Sequence, residues 1–216
     1  MIERDFIKRL IQQLAQVLAE ILFYKKKKDW QKVQMIIDVA GKQLLGLNPE
    51  LRDDLDAATL IELFTYDENT DTEKCLTLAM LLVEQAVLLK NTLNDENLVL
   101  NTLEKAAIIF SVAFENKELI TKDNSNSVEF CCDELLEYKI ENPLLLKILD
   151  LYQATGKLSK AEDVLFRLKD NNYENTFSVA QRFYKTVLQM DEKTLKKGNL
   201  PREEILEGIK HFQNMS

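Results

Sequence analysis

Residues 71–91 read DTEKCLTLAMLLVEQAVLLKN. On a helical wheel Leu76, Leu78, Ala79, Leu81, Leu82, Val83, Ala86, Val87 and Leu89 surround nearly the whole cylinder. A helix that is apolar on every side has no face to give to water and belongs at the centre of a fold. No segment of the chain alternates with a period of two, so no strand competes with a helical reading. Thr70 with Glu73 three residues on has the spacing of a capping box and predicts where this helix starts.

Working outward, the same architecture recurs. A turn residue is followed five, nine and twelve positions later by apolar or small residues in three places: Lys28/Val33/Ile37/Ala40, Asn94/Val99/Leu103/Ala106 and Gly156/Ala161/Leu165/Leu168. Tyr24 and Tyr152 each stand four residues before the first and third turns. This spacing predicts three helical hairpins. The helix before the first turn, Glu3 to Tyr24, carries Phe6, Ile7, Leu10, Ile11, Leu14, Val17, Leu18, Ile21 and Leu22, more apolar surface than one neighbour covers. Lys25 to Lys28 follow it, where positive charge complements a helix C-terminus.

Local signals place the remaining helices. Asp29 is an N-cap, Gly46 a terminator, Asn48-Pro49 a cap followed by a proline at the first helical position, and Asp56 a cap for a short helix through Phe64. A partner helix runs from the Asn94-Asp95 turn to about Glu115. Residues 117–127 lack periodicity, and Asp123, Asn124, Ser125, Asn126 and Ser127 are expected to form an exposed loop. Helix resumes over Val128 to Tyr138. Asn142-Pro143 starts Leu144 to Thr155, Ser159 and Glu162 form a second capping box for a helix to Lys169, and further helices cover Phe177 to Met190 and Pro201 to Phe212.

Composition agrees. Five glycines and three prolines in 216 residues are too few for an all-β chain. No apolar run reaches the length of a membrane span, and no cleavable apolar block opens the chain, so a cytoplasmic location is expected. Charge is uneven: Lys and Arg exceed Asp and Glu by three over residues 1–50, and acids exceed bases by thirteen over residues 51–150. An acidic middle repels nucleic acid and anionic membrane and suits a basic partner.

The residues that could carry chemistry are sparse. His211 is the single histidine, so no serine or cysteine triad can be assembled around another base. The glycines at 41, 46, 156, 198 and 208 are isolated, and none opens a phosphate-binding loop. Cys75, Cys131 and Cys132 make an odd set with no zinc-ligand spacing and read as buried, reduced thiols; a redox pair at Cys131–Cys132 is the alternative. Asp53, Asp54 and Asp56 are the nearest approach to a cation cluster, yet they sit where acids serve as caps. Trp30 and Tyr24 flank the lysine run, and Trp30 is expected to staple the second helix to the first beneath a lysine stem. No catalytic residue, cofactor or metal is expected.

Asn142 through Lys169 resembles a tetratricopeptide-type hairpin through Leu145, Ile148, Tyr152, Gly156, Ala161, Leu165 and Leu168. It departs from that pattern at Leu149, where a small residue belongs, as do Ile21 and Val87 in the other hairpins. The turns are 66 and 62 residues apart, unlike tandem repeats. The chain is also similar to an uncharacterised family of bacterial cytoplasmic proteins, through Met1-Ile2, Arg4-Asp5-Phe6, Arg9, Ile11-Gln12-Gln13-Leu14 and Ala161-Glu162-Asp163 with Leu165-Phe166. That resemblance implies a helical-repeat fold and transfers no activity.

The expectation is therefore an all-α chain: antiparallel helical hairpins stacked as a degenerate tetratricopeptide-like array over residues 1–216, with a subdivision into 1–120 and 125–216, or else an irregular helical bundle. Its expected role is non-enzymatic binding of a protein, a peptide or a second copy, with a homodimer through the first helix as the simplest case. An array would line its concave side with Glu84, Leu88, Asn91, Leu146, Asp150 and Gln153. A helical bundle holding a small molecule between helices, as binder or enzyme, is the alternative.

Overall fold

A computed structural model describes residues 2–93 and 95–213, with side chains from Arg9 onward. The chain is all-α apart from one two-stranded ribbon. It divides into two compact units, residues 1–138 and 139–216. The expected turn at Asn94 and the side chains of Phe6 and Ile7 lie outside the described residues, as do those of the Met1–Phe6 stretch. Among the described residues no helix is long and apolar enough to cross a membrane.

The N-terminal unit runs α1 (Ile2–Lys26), α2 (Trp30–Leu45), α3 (Pro49–Asp54), α4 (Ala57–Glu62), β1 (Thr65–Tyr66), β2 (Asn69–Thr70), α5 (Thr72–Thr92), α6 (Glu96–Ala113), a 3-10 turn (Lys117–Leu119) and α7 (Lys122–Leu136). As the wheel demanded, α5 is the axle: α1, α2, α6 and α7 all pack on it. Thirteen of its 21 residues are buried, including Leu78, Ala79 and Leu81 at 0% exposure. α1 pairs with α2 across Lys28, whose φ of 57° makes the tight turn. Asp29 Oδ1 accepts from the Lys32 amide at 3.1 Å, Asn48 Oδ1 from Leu51 at 2.9 Å and Asp56 Oδ1 from Thr59 at 2.8 Å, so three expected caps are in place.

Three local expectations are corrected. Asp71, not Thr70, caps α5, accepting from the Lys74 amide at 3.0 Å. Thr70 is instead paired with Thr65 in the ribbon, their hydroxyls 2.9 Å apart. This ribbon has no sequence signature because Asp67 and Glu68 hold φ of 45° and 63° at its turn, where Asn-Gly is usual. Finally, Asp123 to Ser127 are helical, not a loop. Thr121 caps α7, its hydroxyl accepting from the Asn124 amide at 3.3 Å. Val128, Cys131, Cys132 and Leu135 then form one buried face against α6 and α5, and the polar residues are the solvent side of the first turns.

The C-terminal unit holds α8 (Asn142–Ala154), α9 (Leu158–Asp170), α10 (Thr176–Val187), α11 (Glu192–Lys197) and α12 (Arg202–Gln213). α8 and α9 form the expected hairpin about Gly156, at φ 74°, with Tyr152 and Ala161 both at 0% exposure. Two caps differ from the sequence reading. Glu141 is the N-cap residue of α8, with Asn142 already helical. Ser159 is inside α9, and its amide donates to the Gly198 carbonyl at 3.0 Å, so a distant backbone oxygen replaces the capping box. Glu162 is thereby free to accept from the Tyr184 hydroxyl at 2.7 Å. Burial lifts the Glu162 carboxyl above its ordinary range, against the lowering effect of that bond.

α12 crosses α10 at Gly208, where a Cβ would lie 2.8 Å from Glu162 Oε1 and closer still to the Tyr184 hydroxyl. Gly208→Ala is therefore expected to destabilise the C-terminal unit by about 2 kcal/mol, the usual cost of overpacking. Gly41→Ala, whose nearest neighbour is at 3.4 Å, is the comparison. Urea unfolding checks this: equal midpoints for Gly208→Ala and the parent would contradict the close crossing.

Candidate functional site

Two concave features of the N-terminal unit are candidates. The first follows from α1. Its Leu10, Leu14 and Ile21 are buried, at 4%, 4% and 0% exposure, while Ile11, Leu22 and Phe23 stand 42–52% exposed. Ile11, Ala15, Leu18 and Leu22, spaced i, i+4, i+7 and i+11, form one wall of an apolar groove of about 550 Å³. Leu76 and Met80 of α5 floor it, and Glu118, Asp123 and Asn124 rim the far side. Within its own unit α1 packs on α2 and α5, and this flank is left uncovered. An apolar flank with small residues at 15 and 19 and a polar rim suits a helix laid into it.

The second feature is a cleft of about 660 Å³ between α5, α6 and the α3–α4 connection. At its base lies Arg52, 1% exposed. The guanidinium donates from Nε to Asp53 Oδ1 at 2.9 Å and from Nη2 to Asp38 Oδ1 at 3.0 Å. Gln85 of α5 donates from Nε2 to the same Asp53 oxygen at 2.8 Å, which fixes the amide and turns its carbonyl away. Gln85 Oε1 is buried and accepts no hydrogen bond. From α6, the Lys105 ammonium donates to the Asp53 carbonyl oxygen at 2.5 Å. Burial pushes Lys105 below the ordinary lysine range, against the pull of Asp53, Asp54 and Asp56. Burial likewise raises Glu104.

The sequence singled out Asp53, Asp54 and Asp56 but overlooked Arg52 between them and Asp38. Asp56 is a cap, held below the usual carboxylate range chiefly by the Thr59 amide. Asp53 answers a buried guanidinium. Among the described residues no three of His, Cys, Asp and Glu converge on a metal-sized point. Arg52 left only a weak signal, one basic residue among acids, because Asp38, its partner on α2, is 14 positions away.

The expected concave residues fall in separate units. In α5, Glu84 accepts from Lys25 at 2.8 Å and Asn91 is exposed, but Leu88 is 4% exposed and belongs to the core. Leu88 is thus corrected from surface to interior, because α5 is packed on several sides rather than one. In the C-terminal unit, Asp150 is exposed beside Arg182, 3.3 Å away, and Leu146 and Gln153 are partly exposed.

The remaining candidates fill structural roles. The thiols of Cys75, Cys131 and Cys132 are buried, at 0% exposure. Burial pushes the Cys75 thiol up to about 12 and raises Cys131 as well, which leaves little thiolate for redox chemistry. His211 meets Phe166 at a tilt and Phe212 edge-on, with Lys169 Nζ 2.5 Å from its Nε2. The lysine-covered ring is Phe23, under Lys27 at 4.0 Å, rather than that of Trp30.

Compared with known proteins, the whole chain, residues 1–216, matches the "Family of unknown function (DUF6483)" and belongs to it. No curated protein and no solved structure matches the chain.

The Arg52 network generates a direct test. Removing one partner of a buried ion pair strands the other charges, so Arg52→Ala is expected to lower stability by about 3 kcal/mol. The change is read from the midpoint of urea unfolding. A loss below about 0.5 kcal/mol would place the pair in the surface class instead.

Proposed function

We propose that this member of the DUF6483 family is a non-enzymatic interaction module whose partner is a second copy of itself, docked through α1. The Ile11–Ala15–Leu18–Leu22 flank, with Ile11 and Leu22 exposed and Leu18 half-buried, and its groove carry this reading. A groove walled by a helix is self-complementary when that helix is also the ligand: in a two-fold pair each α1 flank enters the trough beside the other. Charge favours the same occupant. The segment 1–50 carries a basic excess, and the groove's far rim holds Glu118 and Asp123. A second copy therefore brings positive charge to a negative rim, which aids encounter and sets orientation.

The stacking of helix pairs into a tetratricopeptide-like array belongs to the same proposal. Paired helices expose flanks, and a flank with no intramolecular cover is a site for a partner helix. The chemistry-bearing residues offer no assembled catalytic set: the thiols are buried, and the single histidine, His211, is exposed and meets Phe166 and Phe212 at tilted and edge-on angles.

Sedimentation equilibrium at tens of micromolar protein checks this. The parent chain is expected to be a reversible dimer that weakens as salt rises. Leu18→Glu combined with Leu22→Glu is expected to be monomeric, with its helical circular dichroism unchanged. A parent chain that stays monomeric at every concentration, or a double variant that dimerises equally well, would overturn the proposal.

A further inference from the structure

The Arg52 cleft shares no lining residue with the α1 groove, and its chemistry is different. Three observations define what would fit it. First, Gln85 is 6% exposed, and its Oε1 has no donor. Its orientation is not arbitrary, since Asp53 Oδ1 already takes the Nε2 donor at 2.8 Å. A buried amide oxygen without a donor is destabilising until one arrives. The cleft therefore asks for a hydrogen-bond donor.

Second, the charges lining the cleft are four acids, Asp53, Asp54, Asp56 and Glu104, against two bases, Arg52 and Lys105. Both bases are engaged within the protein: Arg52 by Asp38 and Asp53, Lys105 by the Asp53 carbonyl with three aspartates around it. An anion would find no uncommitted cation there. Glu104 lines the same cleft and, among the described residues, makes no ion pair or hydrogen bond, and burial raises its carboxyl. The donor that suits the cleft therefore carries positive charge.

Third, the walls above these groups are aliphatic: Leu82 and Leu89 from α5, Leu93 beyond its end, and Leu98 and Ile108 from α6. Leu93 and Leu98 are 61% and 39% exposed. They suit an alkyl chain and offer nothing to a small hydrated ion.

We propose that this cleft binds an aliphatic primary ammonium group, its head shared between Gln85 Oε1 and the Glu104 carboxylate and its alkyl chain laid along Leu89, Leu93 and Leu98. The ammonium supplies the donor that Gln85 lacks and the charge that Glu104 lacks. Because the mouth is open to solvent on the leucine side, two sources present the same chemistry: a free alkylamine or polyamine, and a lysine side chain of another chain.

The test is titration of the full chain with n-pentylamine, followed by amide NMR with the Gln85 side-chain NH₂ assigned. Expected are saturable shifts at Gln85, Glu104 and Leu98. The neutral isostere n-pentanol is expected to bind at least about tenfold more weakly, the worth of one charge-assisted hydrogen bond. Glu104→Gln lies on the half-buried rim and leaves the fold intact, and it too should weaken n-pentylamine by roughly tenfold. Gln85→Met should weaken it comparably; if that variant fails to fold, Glu104→Gln alone decides. Spermidine and the peptide acetyl-Gly-Lys-Gly-amide, titrated in parallel, separate the sources by which binds more tightly than n-pentylamine. Absence of saturable shifts at the cleft, equal binding of n-pentanol, or unchanged affinity in Glu104→Gln would overturn the proposal.

Discussion

Everything in the N-terminal unit is arranged around the need to keep α5 dry. An isolated apolar cylinder of six turns is insoluble by itself, so α1, α2, α6 and α7 are recruited to cover it. Each of these needs one apolar face for α5 and keeps polar residues on the other, which is why α7 can begin with six polar residues and remain helical. The demand also limits what α5 shows to the outside. With Leu88 turned inward and Glu84 tied to Lys25, α5 contributes Leu76 and Met80 to the floor of the groove and Gln85 to the cleft.

The shell is incomplete at two places, and they differ in kind. Along α1 the deficit is apolar: the helix has two hydrophobic flanks and one is covered. Beside α3 the deficit is polar. A guanidinium at 1% exposure is tolerated because Asp38, Asp53 and the Gln85–Asp53 bond surround it with acceptors and a fixed geometry. Such a network contributes little net stability, since desolvating the charges offsets most of their attraction. What it does is hold α2, α3 and α5 in one register. The same bond that anchors Asp53 leaves Gln85 Oε1 unanswered, so rigidity on one side of the amide creates an unmet acceptor on the other.

How much of this was legible in the sequence follows from the range of each interaction. The central place of α5, the α8–α9 hairpin about Gly156 and the caps at Asp29, Asn48 and Asp56 were readable, because each depends on residues within a turn or two. Thr70–Glu73 and Ser159–Glu162 have the right spacing but fail for two physical reasons. Asp71 is a stronger acceptor one residue later, and the Gly198 carbonyl reaches the start of α9 from 39 positions away. The polar Asp123–Ser127 stretch has no apolar periodicity of its own, and its helix depends on the Thr121 cap and on the buried face that follows from Val128. The ribbon at Thr65–Thr70 was invisible, since its turn uses Asp67 and Glu68 in conformations that sequence pattern assigns to glycine or asparagine. The Arg52 cleft was half legible: the acids were noticed, but a buried counter-ion is a tertiary fact.

If α5 is the core of the N-terminal unit, it is the last element to open. Native-state hydrogen exchange measures this directly. Amides of α5 around Leu78 to Leu82 are predicted to exchange only through global unfolding, with protection free energies equal to the stability from urea, while α4 and the first turns of α7 open locally. If the α5 amides exchanged as fast as those of α4, the helix would not be the core the rest of the unit was built to cover.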